Sequence, residues 1–197
     1  MKRLLISAAT AASLLAPAAA SAQAIPGAVI AVVDLEKITS ECNACKTANA
    51  ALRSQVTGLQ NREKALAAPL ETEGKALQTA VAALNGKQPD AALENRIKAF
   101  ETKRQQGQQE LARHQQQIQR NQAYISQQIS AKLGPIYRQV MQRRGANIML
   151  EVGSTLASGA TLDVTNDVLT ALNSQLPSVQ TTAPAQTQQQ QQRPQGR

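Results

Sequence analysis

The sequence predicts an α+β fold that is mostly helical. A small β body, completed by oligomerisation, carries one long α-helical coiled-coil hairpin, a tentacle. Three observations predict it. Apolar residues recur at seven-residue spacing on both sides of the turn segment Asn85-Gly86-Lys87-Gln88-Pro89-Asp90. Short β-branched runs flank the hairpin and nothing longer does. Large core-filling side chains are scarce, with no Trp, one Phe and two Tyr in 197 residues. A heptad seam needs only aliphatic side chains on one stripe, so a core poor in aromatics suits it.

The chain divides into five stretches. Residues 1–24 read as a secretory signal peptide. Lys2-Arg3 is the basic n-region, and Leu4 to Ala16 is an apolar run too short to span a bilayer. The small residues of Ala20-Ser21-Ala22 and Ala22-Gln23-Ala24 allow cleavage after residue 22 or 24. Export places the mature chain outside the cytoplasm. The formal net charge of +8 calls for anionic partners. Export excludes nucleic acid as that partner and leaves anionic membrane lipids or acidic polypeptides.

Residues 25–41 form a linker, a first body strand and a connection. Val29-Ile30-Ala31-Val32-Val33 is the strand, and Asp34 or Ser40 caps the helix that follows. Residues 42–144 form the hairpin, turning at 85–90. Gly86 accepts positive φ, Pro89 presets φ, and Asp90 caps the return helix. The outgoing arm carries two series, Leu52, Leu59, Leu66, Glu73, Ala80 and Val56, Glu63, Leu70, Leu77, Leu84. Pro69 predicts a bend in it. The returning arm carries Leu93, Ile97, Phe100, Leu111, Ile118, Ile125, Ile129, Leu133, Ile136 and Val140. Gly107, His114 and Asn121 on its partner stripe predict thin packing, and Gly134-Pro135 predicts a second break.

Residues 145–176 supply body strands and a closing helix. The segment from Asn147 to Val152 reads as a strand, Ser154 to Ser158 as a short third one, and Leu162 to Leu169 as the capped start of a final helix ending near Gln175. So small a base leaves strand edges open, which predicts completion by other subunits. Residues 177–197 are rich in Gln and Pro without periodicity, and read as a disordered tail.

Chemistry-bearing residues are few. Lys87, Arg96, Lys98, Lys103, Arg104, Arg113, Arg120 and Lys132 are candidates for binding clients or anions, because no acid follows Glu110 before Glu151. Cys42-Asn43-Ala44-Cys45 admits a structural disulfide, idle buried thiols, or a redox or metal role. His114, the single His, reads as a filler on the stripe or as a pH sensor. No catalytic residue, cofactor or metal site is expected.

The order of these parts resembles the Skp (OmpH-type) periplasmic chaperones. The resemblance is carried by the signal peptide, the strand Ile30-Ala31-Val32-Val33-Asp34 and the basic hairpin. It continues in Ile148-Met149-Leu150-Glu151-Val152 and the closing Asp163-Val164-Thr165-Asn166-Asp167-Val168-Leu169. It implies a jellyfish-shaped homotrimer in the periplasm, whose tentacles enclose unfolded outer-membrane β-barrel precursors without ATP or catalysis. The Cys pair, the Gln-rich tail and Pro69 are not features the resemblance covers. The chain is therefore expected to be an ATP-independent holdase. Its rivals are an envelope coiled-coil adaptor or spacer that binds a folded partner, and an exported redox protein using Cys42 and Cys45.

Overall fold

The structure, a computed structural model, describes residues 26–185. The export signal expected over residues 1–24 lies outside the described residues, as do residues 186–197 of the tail. The chain runs β1 (Ile30–Val33), α1 (Leu35–Glu41), α2 (Asn43–Ala82), α3 (Ala91–Arg144), β2 (Ile148–Glu151) and α4 (Thr165–Gln175). This is a mostly helical α+β fold with a small sheet and two very long helices. At a rise of 1.5 Å per residue, α2 with 40 residues spans about 60 Å and α3 with 54 spans about 80 Å.

Local chemistry sets each boundary. The Asp34 side chain accepts from the Lys37 amide at 2.8 Å and starts α1. Between the arms, Asn85 (φ 46°) and Gly86 (φ 85°) take left-handed backbone, and Asp90 accepts from the Leu93 amide at 2.8 Å. α3 stops at Gly145 (φ 67°), where Ala146 N–H reaches the Met141 carbonyl at 2.9 Å.

β1 and β2 pair in parallel, Ile30 opposite Ile148 through Val33 opposite Glu151. The whole hairpin is the crossover between them. No third strand forms over 154–158. That stretch follows a 3-10 turn at Val152–Ser154, and the second neighbour of β1 is a single bridge from Val32 to Asp163. Gly153 and Gly159 and the short Ser-rich segment between them offer no alternating apolar side chains to hold a ladder.

One core joins the base. Ile125, Ile129, Leu133, Ile136 and Val140 of α3 meet Val33, Ile38, Val164, Val168 and Leu172. Ile38, Ile136, Val140, Val168 and Leu172 are fully buried. This packing explains why Gly134-Pro135 does not break α3. Pro135 itself is exposed, and so is Ala131, whose carbonyl it leaves unpaired, so water satisfies that carbonyl. Burial of the flanking Leu133 and Ile136 offsets the ~3 kcal/mol proline cost. Pro69 is likewise exposed, and α2 continues through it.

The seam of α2 departs from strict heptads. Leu52, Leu59, Leu66, Glu73 and Ala80 are half-buried, but Val56 and Glu63 are exposed while Gln55 is half-buried. Near the base the half-buried companion, Gln55, is thus three residues after Leu52, whereas Leu70 and Leu77 lie four after Leu66 and Glu73. The shift falls beside Pro69. It is a stutter, which locally unwinds the supercoil.

The tail is the other departure. Residues 177–185 lie against the hairpin instead of standing free of it, with Val179 touching the base core. Composition gave no apolar reason for order there. Amide side chains on the arms supply hydrogen bonds instead.

A core position and an exposed arm position should separate in stability. Ile136→Ala is expected to cost about 2–5 kcal/mol, and Val56→Ala less than about 0.5 kcal/mol. Denaturant unfolding measures both, and equal losses would refute the placement of the core.

Candidate functional site

The seam between the arms is built from size complementarity. The Gly74 position faces the Phe100 ring, a Cβ there lying 3.6 Å from it, and the Gly107 position faces Leu66 at 3.7 Å. The two glycines thus make room for the largest side chains of the seam. Gly107 was expected to mark thin packing, yet it is buried beneath Leu66. Around this contact lies a cleft of about 580 Å³ lined by Leu66, Pro69, Leu70, Phe100 and Lys103.

Two ion pairs bracket the cleft across the arms. Arg62 grips Glu110 with both ends of its fork, Nε–Oε1 2.6 Å and Nη2–Oε2 3.0 Å. Arg96 holds Glu73 Oε1 at 3.0 Å. The hydrogen bonds from Arg62 hold the Glu110 carboxyl below its usual range, helped by the charges of Arg62, His114 and Arg113. This stabilisation is present above the ordinary carboxylate pKa and fades as pH falls through the lowered one. Both pairs face solvent, so they fix register more than they add stability.

The eight basic candidates do not converge. From Arg96 to Lys132 they spread along roughly 54 Å of helix. Arg96 is neutralised by Glu73 and Arg104 by Glu101 at 2.6 Å. Arg120 is half-buried and donates to Gln117. Lys87, Lys98, Lys103, Arg113 and Lys132 are exposed, with Lys87 in the turn. They make a diffuse field, not a pocket. Four of the 21 cations, Lys2, Arg3, Arg193 and Arg197, fall outside the described residues, while all 13 anions fall inside, so residues 26–185 carry +4. The charge is polarised. Asn43–Arg144 holds sixteen cations to seven anions, and the base holds six anions to the single cation Lys37.

Nearer the base, a second groove is lined with amides. Asn121 is buried and its Nδ2 donates to Gln55 Oε1 across the arms at 2.8 Å. Its Oδ1 accepts from Gln117 Nε2 at 2.7 Å and from the Ala183 amide at 2.8 Å. Gln128 makes a two-bond pair with the main chain of Gln180, Nε2 to the carbonyl and Oε1 from the amide, each 2.9 Å. Gln55 Nε2 donates to the Thr181 carbonyl at 3.3 Å. Sequence reading missed these residues. The one signal was Asn121, a polar residue at a seam position. His114, at the next seam position, is exposed at the mouth of this groove.

Cys42 and Cys45 are joined by a disulfide, and no cysteine is free. Cys42 is the N-cap of α2, and its Sγ accepts from the Cys45 amide at 3.0 Å. Both residues are at most 2 % exposed. The bridge staples the corner between α1 and α2. A helix N-terminus suits a reactive thiol, but burial denies it a partner. Among the described residues no cluster of His, Cys, Asp and Glu could hold a metal ion, and no helix is long and apolar enough to cross a membrane.

The base ends in an apolar patch. Ile148, Leu150, Val152, Leu156 and Leu162, on β2 and the loop beyond it, are exposed, as is Ile30 on β1 opposite Ile148. The edge amides and carbonyls of β2 face away from β1.

The profile of a protein family described as Outer membrane protein (OmpH-like) matches residues 29–172. No curated protein sequence matches the chain. A crystal structure described as an OmpH-like outer membrane chaperone candidate from Caulobacter crescentus superposes with TM-score 0.68 at 16% identity. The match covers 85% of this chain and 96% of that one. It shows a shared fold.

The disulfide closes a very short loop. Its removal in the double variant Cys42→Ser, Cys45→Ser is expected to cost roughly 2 kcal/mol by the loop-entropy relation. Denaturant unfolding of variant and parent measures this. Alkylation of the native, unreduced parent should label no thiol.

Proposed function

The chain belongs to the OmpH-like family, and from that premise we propose that it is an ATP-independent holdase chaperone of the periplasm. It binds unfolded outer-membrane β-barrel precursors and prevents their aggregation in transit. It performs no bond chemistry and uses no cofactor. The observation that carries this reading is the pair of arms, 60–80 Å long, raised on a base too small to pack against them.

The arms suit a weak, general binder. Apart from Leu77, Leu93, Gly107 and Asn121, their seam beyond the base is at most half-buried, so they bend at little cost. Their exposed cations attract acidic clients, and anionic membrane lipids as a second class, over a Debye length of about 8 Å at physiological salt. The open edge of β2 and the exposed Ile148, Leu150 and Val152 support a homo-oligomer, with three subunits as the assembly the family resemblance implies. Several arms around one client raise avidity, because each later contact is effectively intramolecular.

An aggregation assay with an unfolded porin tests the reading. A holdase suppresses turbidity near stoichiometric amounts of oligomer; a coiled-coil spacer for a folded partner leaves turbidity unchanged and would replace this proposal. The capture rate is expected to fall several-fold between 50 mM and 500 mM salt. A rate flat across that range would remove the charge from the mechanism. Light scattering of the mature chain should give a closed oligomer, and a monomer would refute the shared base.

A further inference from the structure

The amide-lined groove near the base is occupied by the chain's own tail, and the manner of occupation is unusual. Among the described residues, the hydrogen bonds of Gln55, Asn121 and Gln128 to the tail go to main-chain atoms. Gln128 pairs with both the N–H and the C=O of Gln180, Gln55 Nε2 donates to the Thr181 carbonyl, and Asn121 Oδ1 accepts from the Ala183 amide. Side-chain burial along the tail alternates. Val179, Thr181 and Ala183 are half-buried, whereas Gln180, Thr182 and Pro184 are exposed. Period two is the signature of an extended chain with one face on a surface. The inward residues are small, and beside the tail at Thr182 the groove continues as an open cleft lined by Leu59 and Ile118.

The site is prearranged. Gln117 on the same helix and Gln55 on the facing arm each hydrogen-bond the Asn121 amide through atoms of the arms themselves. A buried amide so fixed presents an acceptor to whatever main chain lies beside it. Reading main chain alone makes no demand on sequence. An alternation of small or apolar residues with polar ones is what segments of an outer-membrane β-barrel carry.

We infer that this groove is a binding site for an extended stretch of client main chain, and that residues 178–183 are an intramolecular strap that clients displace. The inference takes its client from the holdase reading and adds the place and the competitor. The strap follows α4 directly at Leu176, so its effective concentration at the groove is high, and a weak contact suffices to keep it closed. Apparent client affinity is then reduced by the fraction of time the groove is open. The strap keeps the amides of Gln55, Asn121 and Gln128 engaged until a client of higher local concentration arrives.

The test compares the full mature chain with one ending at Leu176, both titrated with a fluorescent unfolded porin. Loss of the strap should raise affinity by about threefold to tenfold, the gain for a groove otherwise open a tenth to a third of the time. Gln128→Ala in the shortened chain should remove most of that gain. In the full chain, hydrogen exchange at the Gln180 and Ala183 amides should be slow alone and fast with saturating porin. Equal affinity of the two chains, or amides that stay protected with porin bound, would overturn the inference and leave the holdase reading intact. Porin bound by neither chain would overturn the holdase reading itself, and with it the client as occupant.

Discussion

The structure depends on the lower third of α3. Ile125, Ile129, Leu133, Ile136 and Val140 repeat at helical spacing and are the one long apolar stripe the base can bury completely. β1, α1 and α4 close around that stripe. The polar couplings of the base then have little freedom. Thr165 Oγ1 accepts from the Asp34 amide at 2.9 Å, the Thr165 amide donates to Asp163, and Arg144 reaches Asp167 at 2.6 Å. The hydrogen bonds from Thr165 hold the Asp163 carboxyl below its usual range. The sheet is a by-product of this packing. With two short parallel strands separated by the entire hairpin, β1 and β2 could not pair without the helical core to bring them together.

Everything above Ile125 is held differently. The arms have no layer behind them, so most seam residues are half-covered by their opposite numbers, with Leu77, Leu93, Gly107 and Asn121 the buried exceptions. Stability there comes from Phe100 over Gly74, Leu66 over Gly107, and exposed ion pairs that set register. A helix with a solvated back and a narrow seam opens locally at low cost. The disulfide at Cys42 and Cys45 marks the border between the two regimes. It fixes the corner where a rigid base passes into a compliant arm.

Binding without sequence preference asks for three properties, and the chain distributes them. Long-range attraction lies on the arms, whose cations outnumber anions by more than two to one, while the base is acidic. Adaptable apolar surface lies in the seam. Main-chain hydrogen bonding lies in the amides of Gln55, Asn121 and Gln128. No one of these is a pocket of the kind an enzyme uses, and each is weak. In the proposed oligomer, several chains joined through the open edge of β2 would sum them.

The sequence by itself determined the helical hairpin, its turn and its capping. Those features are local: heptad spacing, positive φ at Asn85-Gly86, and carboxylates three residues ahead of free amides. The family was legible for the same reason, because the strand and closing-helix segments are contiguous motifs. Only the tertiary structure decided what the irregular residues do. Pro69 and Pro135 do not break their helices, and both lie at exposed positions, Pro135 between the buried Leu133 and Ile136. Gly107 is a socket, not a gap, and Gln55 displaces Val56 from the seam because the repeat stutters at Pro69. The beginning of the tail is held by amides from residues 55, 121 and 128, partners too distant along the chain for any periodicity to announce. Hydrogen bonds between remote polar groups leave no pattern in one sequence; apolar burial along one helix does.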